Sequence, residues 1–397
     1  MGEVKNTPYI RFKGYSGDWE ENYLGQLAKI TTGKSNRQDS GLDGKYTFFD
    51  RSDDIRRSSI YLFDCEAIIV AGEGSDFVPK YFVGKFDLHQ RTYAIMNFDK
   101  LAGKFLHYYI YLFRKHFLNY AVGSTVKSLR LPMFKEMLVK YPSNLEQIKI
   151  GTFFKNLDDQ ITLKQRKLDK MVTLKKAMLE KMFPKEGADE PEIRFKGFSG
   201  AWDARGLLDH FEKIIDFRGR TPKKLGLDWS NSGYLALSAL NVKNGYIDFS
   251  VDAHFGNQEL YDKWMLGNEL HKNQVLFTTE APMGNVAQVP DEKKYILSQR
   301  TIAFVVKESL IDENFLAVCL RSPKIFEKLT SLSSGGTAQG VSQKSLSSLH
   351  LVIPHDLDEQ RAIGSYFKKL DEFISLQKIE LIKLKQIKSS CLEKMFV

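Results

Sequence analysis

From Leu157 to Met182 apolar side chains return at alternating steps of four and three residues, through Ile161, Leu168, Met171 and Met178, with Lys164 and Lys175 standing in two of the places. This is the seam spacing of a helix that packs along a partner helix. A second stretch repeats it in register: Leu370, Ile374, Leu381, Leu384, Cys391 and Met395 alternate with Gln377 and Lys388. The polar interruptions fall at the same places, 164 with 377 and 175 with 388. A polar residue in a seam costs stability but fixes register, so the two helices are expected to pair as a coiled coil. Pro184 is expected to end the first, and the polar stretch 185–191 to link two halves of the chain.

Elsewhere the pattern shortens. Runs such as Ala67–Ala71, Val275–Thr278 and Thr301–Val306 are bounded by Gly, Asp, Asn and Pro, which predicts strands. Phe105 to Phe117 and Asn314 to Leu329 read as helices, giving a mixed α/β body in each half.

The chain is also written twice. Residues 10–19, IRFKGYSGDW, recur as IRFKGFSGAW at 193–202, identical at eight of ten positions. EQIKIGTFFKNLDDQI from Glu146 recurs as EQRAIGSYFKKLDEFI from Glu359, and both helices close on LEKMF, at Leu179–Phe183 and Leu392–Phe396. Weaker echoes lie between: Gln90-Arg91-Thr92 with Gln299-Arg300-Thr301, and Gly123 and Thr125 with Gly335 and Thr337. The separation of matched positions grows from 183 to 213 residues. The second interior is therefore longer by about 30 residues, and the interiors otherwise share little, whereas their frames match.

Composition narrows the class. A content of 43% hydrophobic residues excludes disorder, and no stretch approaches the roughly 18 apolar residues of a membrane span. The opening MGEVKNTPYIRFKG has no apolar run of the signal-peptide kind, so a cytoplasmic location is expected. Cys65, Cys319 and Cys391 suit neither a disulfide framework nor a zinc site. A net charge of +9 leans toward polyanionic partners. Catalytic strings fail on inspection. Gly33-Lys34-Ser35 lacks the first glycine of a phosphate-binding loop, because Ala28 stands there. Asp291 and Glu292 are adjacent in a turn and do not converge on a metal, and the eight histidines are scattered. No Asn-Pro-Pro-Tyr or Asp-Pro-Pro-Tyr string marks an adenine methyltransferase. The expectation is a non-catalytic chain, with no metal, that directs chemistry performed elsewhere; the alternative is a coiled-coil scaffold without DNA specificity.

The doubled clamp, EQ-x-x-IG helix start and LEKMF end resemble the specificity subunit of type I restriction-modification enzymes. The resemblance implies two target recognition domains, at residues 1–144 and 193–356, joined by two antiparallel helices, at 145–184 and 357–397, with a linker at 185–192. It implies double-stranded DNA as ligand and, as partners, two copies of a modification subunit that methylates adenine at N6 and motor-nuclease restriction subunits. S-adenosylmethionine, ATP and magnesium are then expected on those partners, and no cofactor on this chain. A bipartite, asymmetric target follows from two unlike readers. Candidate DNA contacts in the first half are Lys34, Asn36, Arg37, Gln38, Arg56, Arg57, Arg91 and Thr125. In the second they are Arg218, Arg220, Thr221, Lys223 and Lys224 in a basic turn, with Asn241, Lys243, Arg300, Thr337 and Gln339. Amides and guanidinium groups there match the base edges and phosphates of a duplex, and the recurring Gln-Arg-Thr suits a shared phosphate contact.

Overall fold

Side chains along the short apolar runs point alternately to two faces, and in the computed structural model these runs build a six-stranded and a four-stranded sheet with helices packed on them. The structure describes residues 6–52, 54, 56–251, 253–333 and 340–397. Contacts divide the chain into two units, Met1–Arg166 with Ile379–Val397, and Lys167–Lys378.

In the first unit six strands lie in the order Lys29–Thr32, Thr92–Met96, Phe63–Ala71, Lys80–Leu88, Tyr46–Phe49, Arg56–Ser58. All neighbours are antiparallel except Tyr46–Phe49, which runs parallel to Lys80–Leu88. Alternate residues Ile68, Val70 and Ile95 face a core with Phe105, Leu106 and Ile110 of the helix Gly103–Phe113. Their neighbours Ala67, Ile69, Ala94 and Met96 form a smaller cluster with Phe86 on the other face.

In the second unit the strands Phe211–Asp216, Thr301–Val306, Val275–Thr278 and Val286–Gln288 form an antiparallel sheet. Phe277, Ile302 and Phe304 pack against the helix Glu313–Leu320. The other face, with Leu276, Ala287 and Ala303, is covered by Leu260, Trp264 and Met265 of the helix Gln258–Met265. That helix lies in the longer interior, and among the described residues no helix of the first unit joins the cluster on the equivalent face. Two expected helices are each broken in two. Gly103–Phe113 and Lys115–Tyr120 meet at Arg114, while Glu313–Leu320 and Pro323–Leu332 are separated because Pro323 starts a new helix at its first position.

The repeated motifs are the fastenings of each unit. Arg11 makes a two-pronged pair with Glu146 at 2.7 and 2.8 Å, and Arg194 makes the same pair with Glu359 at 2.7 and 2.7 Å. Both carboxylates are 1% exposed. Gln147 accepts from Ala102 N–H and donates to the carbonyls of Lys100 and Pro142; Gln360 accepts from Asp312 N–H and donates to Leu310 and Pro354. Next comes a glycine, and a Cβ on Gly151 would lie 2.8 Å from the Phe105 nitrogen, one on Gly364 2.6 Å from that of Phe315. Phe154 and Phe367 then enter the two cores.

The long helices run Asn144–Lys181 and Leu357–Met395. Within the first unit Asp158 pairs with Lys388 at 2.6 Å and Lys164 with Glu380 at 2.5 Å, so numbering rises on one helix as it falls on the other. The helices are antiparallel there. In the second unit Lys175 pairs with Asp371 at 2.5 Å, and Arg321 joins the same carboxylate at 2.6 Å. Burial first, then the Arg321 charge, push the Lys175 ammonium down from its ordinary range. The seam lysines 175 and 388 thus meet the aspartates of the repeated Leu-Asp pairs, 371 and 158. Each LEKMF end is an aromatic plug: Phe396 stacks on Phe105 beside Trp19, and Phe183 on Phe315 beside Trp202. Among the described residues no helix is long and apolar enough to cross a membrane.

Candidate nucleic-acid interface

In the first unit the candidates gather where the sheet strands end. Gly33 lies so close to the end of Lys80–Leu88 that a Cβ would sit 1.7 Å from the Leu88 carbonyl oxygen. Ser35 is fixed beside it, donating to the buried Asp87 at 2.9 Å. The loop they anchor carries Lys34, Arg37 and Gln38 exposed, and Asn36, whose amide oxygen accepts from Gln90 at 2.6 Å. Arg37 stands 3.6 Å from Asp50, and Arg91 donates to Glu73 at 2.8 Å with its own side chain 64% exposed. These groups line a cleft of about 270 Å³ together with Arg51 and His89. Burial pushes the Asp50 carboxyl up, but hydrogen bonds from Ser52 and the Arg37 charge outweigh it and hold it below its ordinary range. It is ionised at neutral pH. Thr125 is exposed in the loop of Val122 and Ser128, whose strand Lys127–Ser128 pairs with Glu73–Gly74.

Arg56 and Arg57 are half-buried in a strand. Arg56 donates twice to Ser40, at 2.7 and 2.8 Å, and Arg57 reaches Thr47 at 3.3 Å, so both guanidinium groups hold neighbouring chain.

In the second unit the basic turn is present but divided in its work. Arg218 grips Asp216 at 2.5 Å and donates to the Val341 carbonyl. Arg220 lies 4.5 Å over the Phe217 ring and donates to the Trp264 carbonyl at 2.7 Å. Thr221 caps the short helix Pro222–Leu225, and the Lys224 ammonium returns to the Gly219 carbonyl. Lys223 projects into solvent, and Lys243 is half-buried on a hairpin with Tyr246. Asn241 requires a correction. It is fully buried, its oxygen accepts from Ser238 N–H and its nitrogen donates to the Ala236 carbonyl, so no edge remains for a base. Thr337 and Gln339 lie outside the described residues.

Arg300 repeats Arg91. It pairs with Glu280 at 2.9 Å and is 59% exposed. The backbone beneath is the same in both units: Gly72 N–H bonds the Arg91 carbonyl and Leu129 N–H bonds that of Gly72, while Thr279 N–H bonds Arg300 and Val341 N–H bonds Thr279. Sequence reasoning found the arginines and missed Glu73 and Glu280. An acidic residue is discounted when the expected ligand is a polyanion, and only the fold brings these carboxylates to the arginines.

Comparison with known proteins identifies a family. A family model described as the type I restriction modification DNA specificity domain matches residues 16–172 and again 201–386. The specificity subunit of the type I restriction enzyme EcoDI from Escherichia coli is 33% identical over 134 residues, 34% of this chain and 30% of that protein. The specificity subunit of the MjaVIII enzyme from Methanocaldococcus jannaschii is 21% identical over 389 residues, 94% of this chain and 90% of that one. The crystal structure of a type I restriction-modification S subunit from M. genitalium superposes with a TM-score of 0.70 at 17% identity, over 98% of this chain and 99% of that one.

Proposed function

Because the chain belongs to the type I restriction-modification DNA specificity family, we propose that each of its units reads one block of a bipartite, asymmetric duplex target. Bound there, it directs modification subunits to methylate adenine at N6 and restriction subunits to cleave. The observation that carries the reading is the Arg91–Glu73 and Arg300–Glu280 pair, set on matched backbones in units whose remaining surfaces differ. A shared cation suits the phosphates common to every duplex, and unlike surroundings suit two different blocks. The chain itself is proposed to be non-catalytic, its cofactors residing on the partners.

Methylome sequencing of a host with and without the gene tests this directly. Loss of a two-part adenine motif on deletion is expected; an unchanged methylome overturns the proposal. A scaffold without DNA specificity would give no sequence-specific shift of duplex when the chain is combined with a modification subunit.

The basic turn yields a sharper expectation. Lys223→Glu is expected to weaken binding equally on cognate and random duplex, and each lost phosphate contact to reduce the logarithmic salt slope by about one. Its Tm should hold. Arg220→Glu should instead lower Tm, because the guanidinium it removes is stacked on Phe217 and bonded to the Trp264 carbonyl. Titrations at several salt concentrations, beside thermal melts of both variants, distinguish the two roles.

A further inference from the structure

Matching the two units strand by strand separates what they share from what they do not. Phe49 ends the strand beside Leu88, and its carbonyl accepts from His89 N–H at 2.9 Å; Leu237 ends the strand beside Leu297, and its carbonyl accepts from Ser298 N–H at 2.9 Å. The following residue in each unit caps its own turn. Ser52 N–H donates to Asp50 Oδ1 at 2.8 Å, and Leu240 N–H to Ser238 Oγ at 3.2 Å. Asp50 therefore stands where the second unit has Ser238, and His89 where it has Ser298. Gln90 and Arg91 match Gln299 and Arg300. Residues that are the same in both units cannot distinguish two different blocks of sequence, whereas residues that differ at one place in the frame can.

Asp50 carries a second peculiarity. Its side chain is 5% exposed. Oδ1 takes both bonds from Ser52, and Oδ2 is buried with no hydrogen-bond partner among the described residues. Arg37 Nη1, at 3.6 Å, supplies charge but lies beyond hydrogen-bonding distance. A buried acceptor left unpaired is costly and calls for a reason. This one lies in the wall of the cleft that also holds Arg37, Arg51 and Arg91, three cations against the carboxylates of Asp50 and Glu73, so the cleft stays net positive toward nearby phosphates.

We propose, resting on the DNA-reading assignment above, that Asp50 Oδ2 accepts a hydrogen bond from the exocyclic amino group of one base, cytosine N4 or adenine N6, in the block read by the first unit. Ser238 holds the matching place in the second. A carboxylate accepts from these amino groups and is repelled by the keto oxygens that guanine and thymine present at the same edge. Serine, both donor and acceptor, selects less strictly. Arg37, 51% exposed on its short turn, is the side chain that moves aside.

The test uses the chain assembled with its modification subunits, after the methylated motif has been mapped. Binding to the cognate duplex is compared with duplexes in which each amino group of the first block is deleted in turn, purine replacing adenine or 2-pyrimidinone replacing cytosine. The unaltered protein is expected to lose about tenfold in affinity or more at one such position. Asp50→Ala should bind the parent and that analogue alike, while discrimination in the second block persists. Retention of the full loss by Asp50→Ala overturns the proposal, as does an equal loss on every duplex, random DNA included. Should the variant fail to fold, the unaltered protein still decides: insensitivity to every amino deletion in the first block overturns the proposal. If it does not prefer cognate to random duplex at all, the DNA-reading assignment itself falls.

Discussion

Exchanging residues 207–349 for the corresponding segment of another family member is expected to replace one block of the methylated motif and leave the other unchanged. The borders follow from the neck of the second unit. Asp203–Gly206 pairs antiparallel with His350–Ile353, and Leu207 N–H then bonds the Leu349 carbonyl at 2.7 Å, so the interior leaves and re-enters through adjacent residues. The Arg194–Glu359 pair, Gln360 and the Trp202 contact with Phe183 involve no residue of the segment except through the interior's own Phe315, Asp312 and Leu310. A donor must therefore keep the aromatic that receives Phe183. The first unit has the same neck, Glu20–Tyr23 with Leu138–Tyr141 and Leu24 N–H on the Met137 carbonyl, so the converse exchange of 24–137 should replace the other block. Methylome sequencing reads both. A change in both blocks from one exchange would show that the units do not read independently.

A large loss of stability from one small substitution is expected at Gly364, where a helix packs on a helix. A Cβ there would meet the Phe315 nitrogen at 2.6 Å and the Asn314 carbonyl carbon at 2.9 Å. Neither atom belongs to a flexible side chain. The helix Glu313–Leu320 must back away, drawing Phe315 from the core and straining the Gln360 bonds to Asp312 and Leu310. Overpacking costs about 1–3 kcal/mol when side chains absorb it, and Gly364→Val should reach or exceed the upper figure. For a unit of this size that is a fall in Tm of about 6–12 °C. Ser365→Ala, one residue on and exposed, should stay within about 0.5 kcal/mol. Equal melts for the two variants would show that the helices are less closely apposed than this.

The coiled-coil seam was legible in the sequence because helical periodicity is local, and the strands because short apolar runs bounded by turn residues are. Lys175 and Lys388 were recognisable as deliberate interruptions, yet their partners Asp371 and Asp158 were not, since an ion pair across helices leaves no trace in spacing. The Glu-Gln pair was visible as a helix start; what it holds was not, because Arg11 lies 135 residues from Glu146. The interface suffered most from this. Asn241 has the residue type of a base-reading amide and is spent instead on its own turn, as asparagine often is. Arg220 looked like a surface cation and is stacked on a ring. Asp50 and Ser238 could not be matched by eye, because the longer interior of the second half shifts everything between the frames. The shared strand pairing and its hydrogen bond at the strand end, to His89 in one unit and Ser298 in the other, align them.

One pair of backbone hydrogen bonds bears on the order in which the chain is threaded. Ile193 N–H bonds the Lys181 carbonyl at 2.9 Å, and Trp202 N–H bonds that of Asp189 at 2.7 Å; Ile10 N–H bonds Lys394 at 2.8 Å, and Trp19 N–H bonds Asn6 at 2.8 Å. What segment 181–202 does in one unit, segment 6–19 and Lys394 do in the other. Asp189 follows Lys181 by eight residues, and joining Val397 directly to Met1 would place Asn6 nine residues after Lys394. Joined at 397 and 1, this sequence would have two matching seams. A permuted gene that starts at Gly187, ends at Glu186 and fuses 397 to 1 should therefore yield a protein that methylates the same motif with the same spacing. A permuted protein that folds but methylates a different motif would show that the two seams are not equivalent.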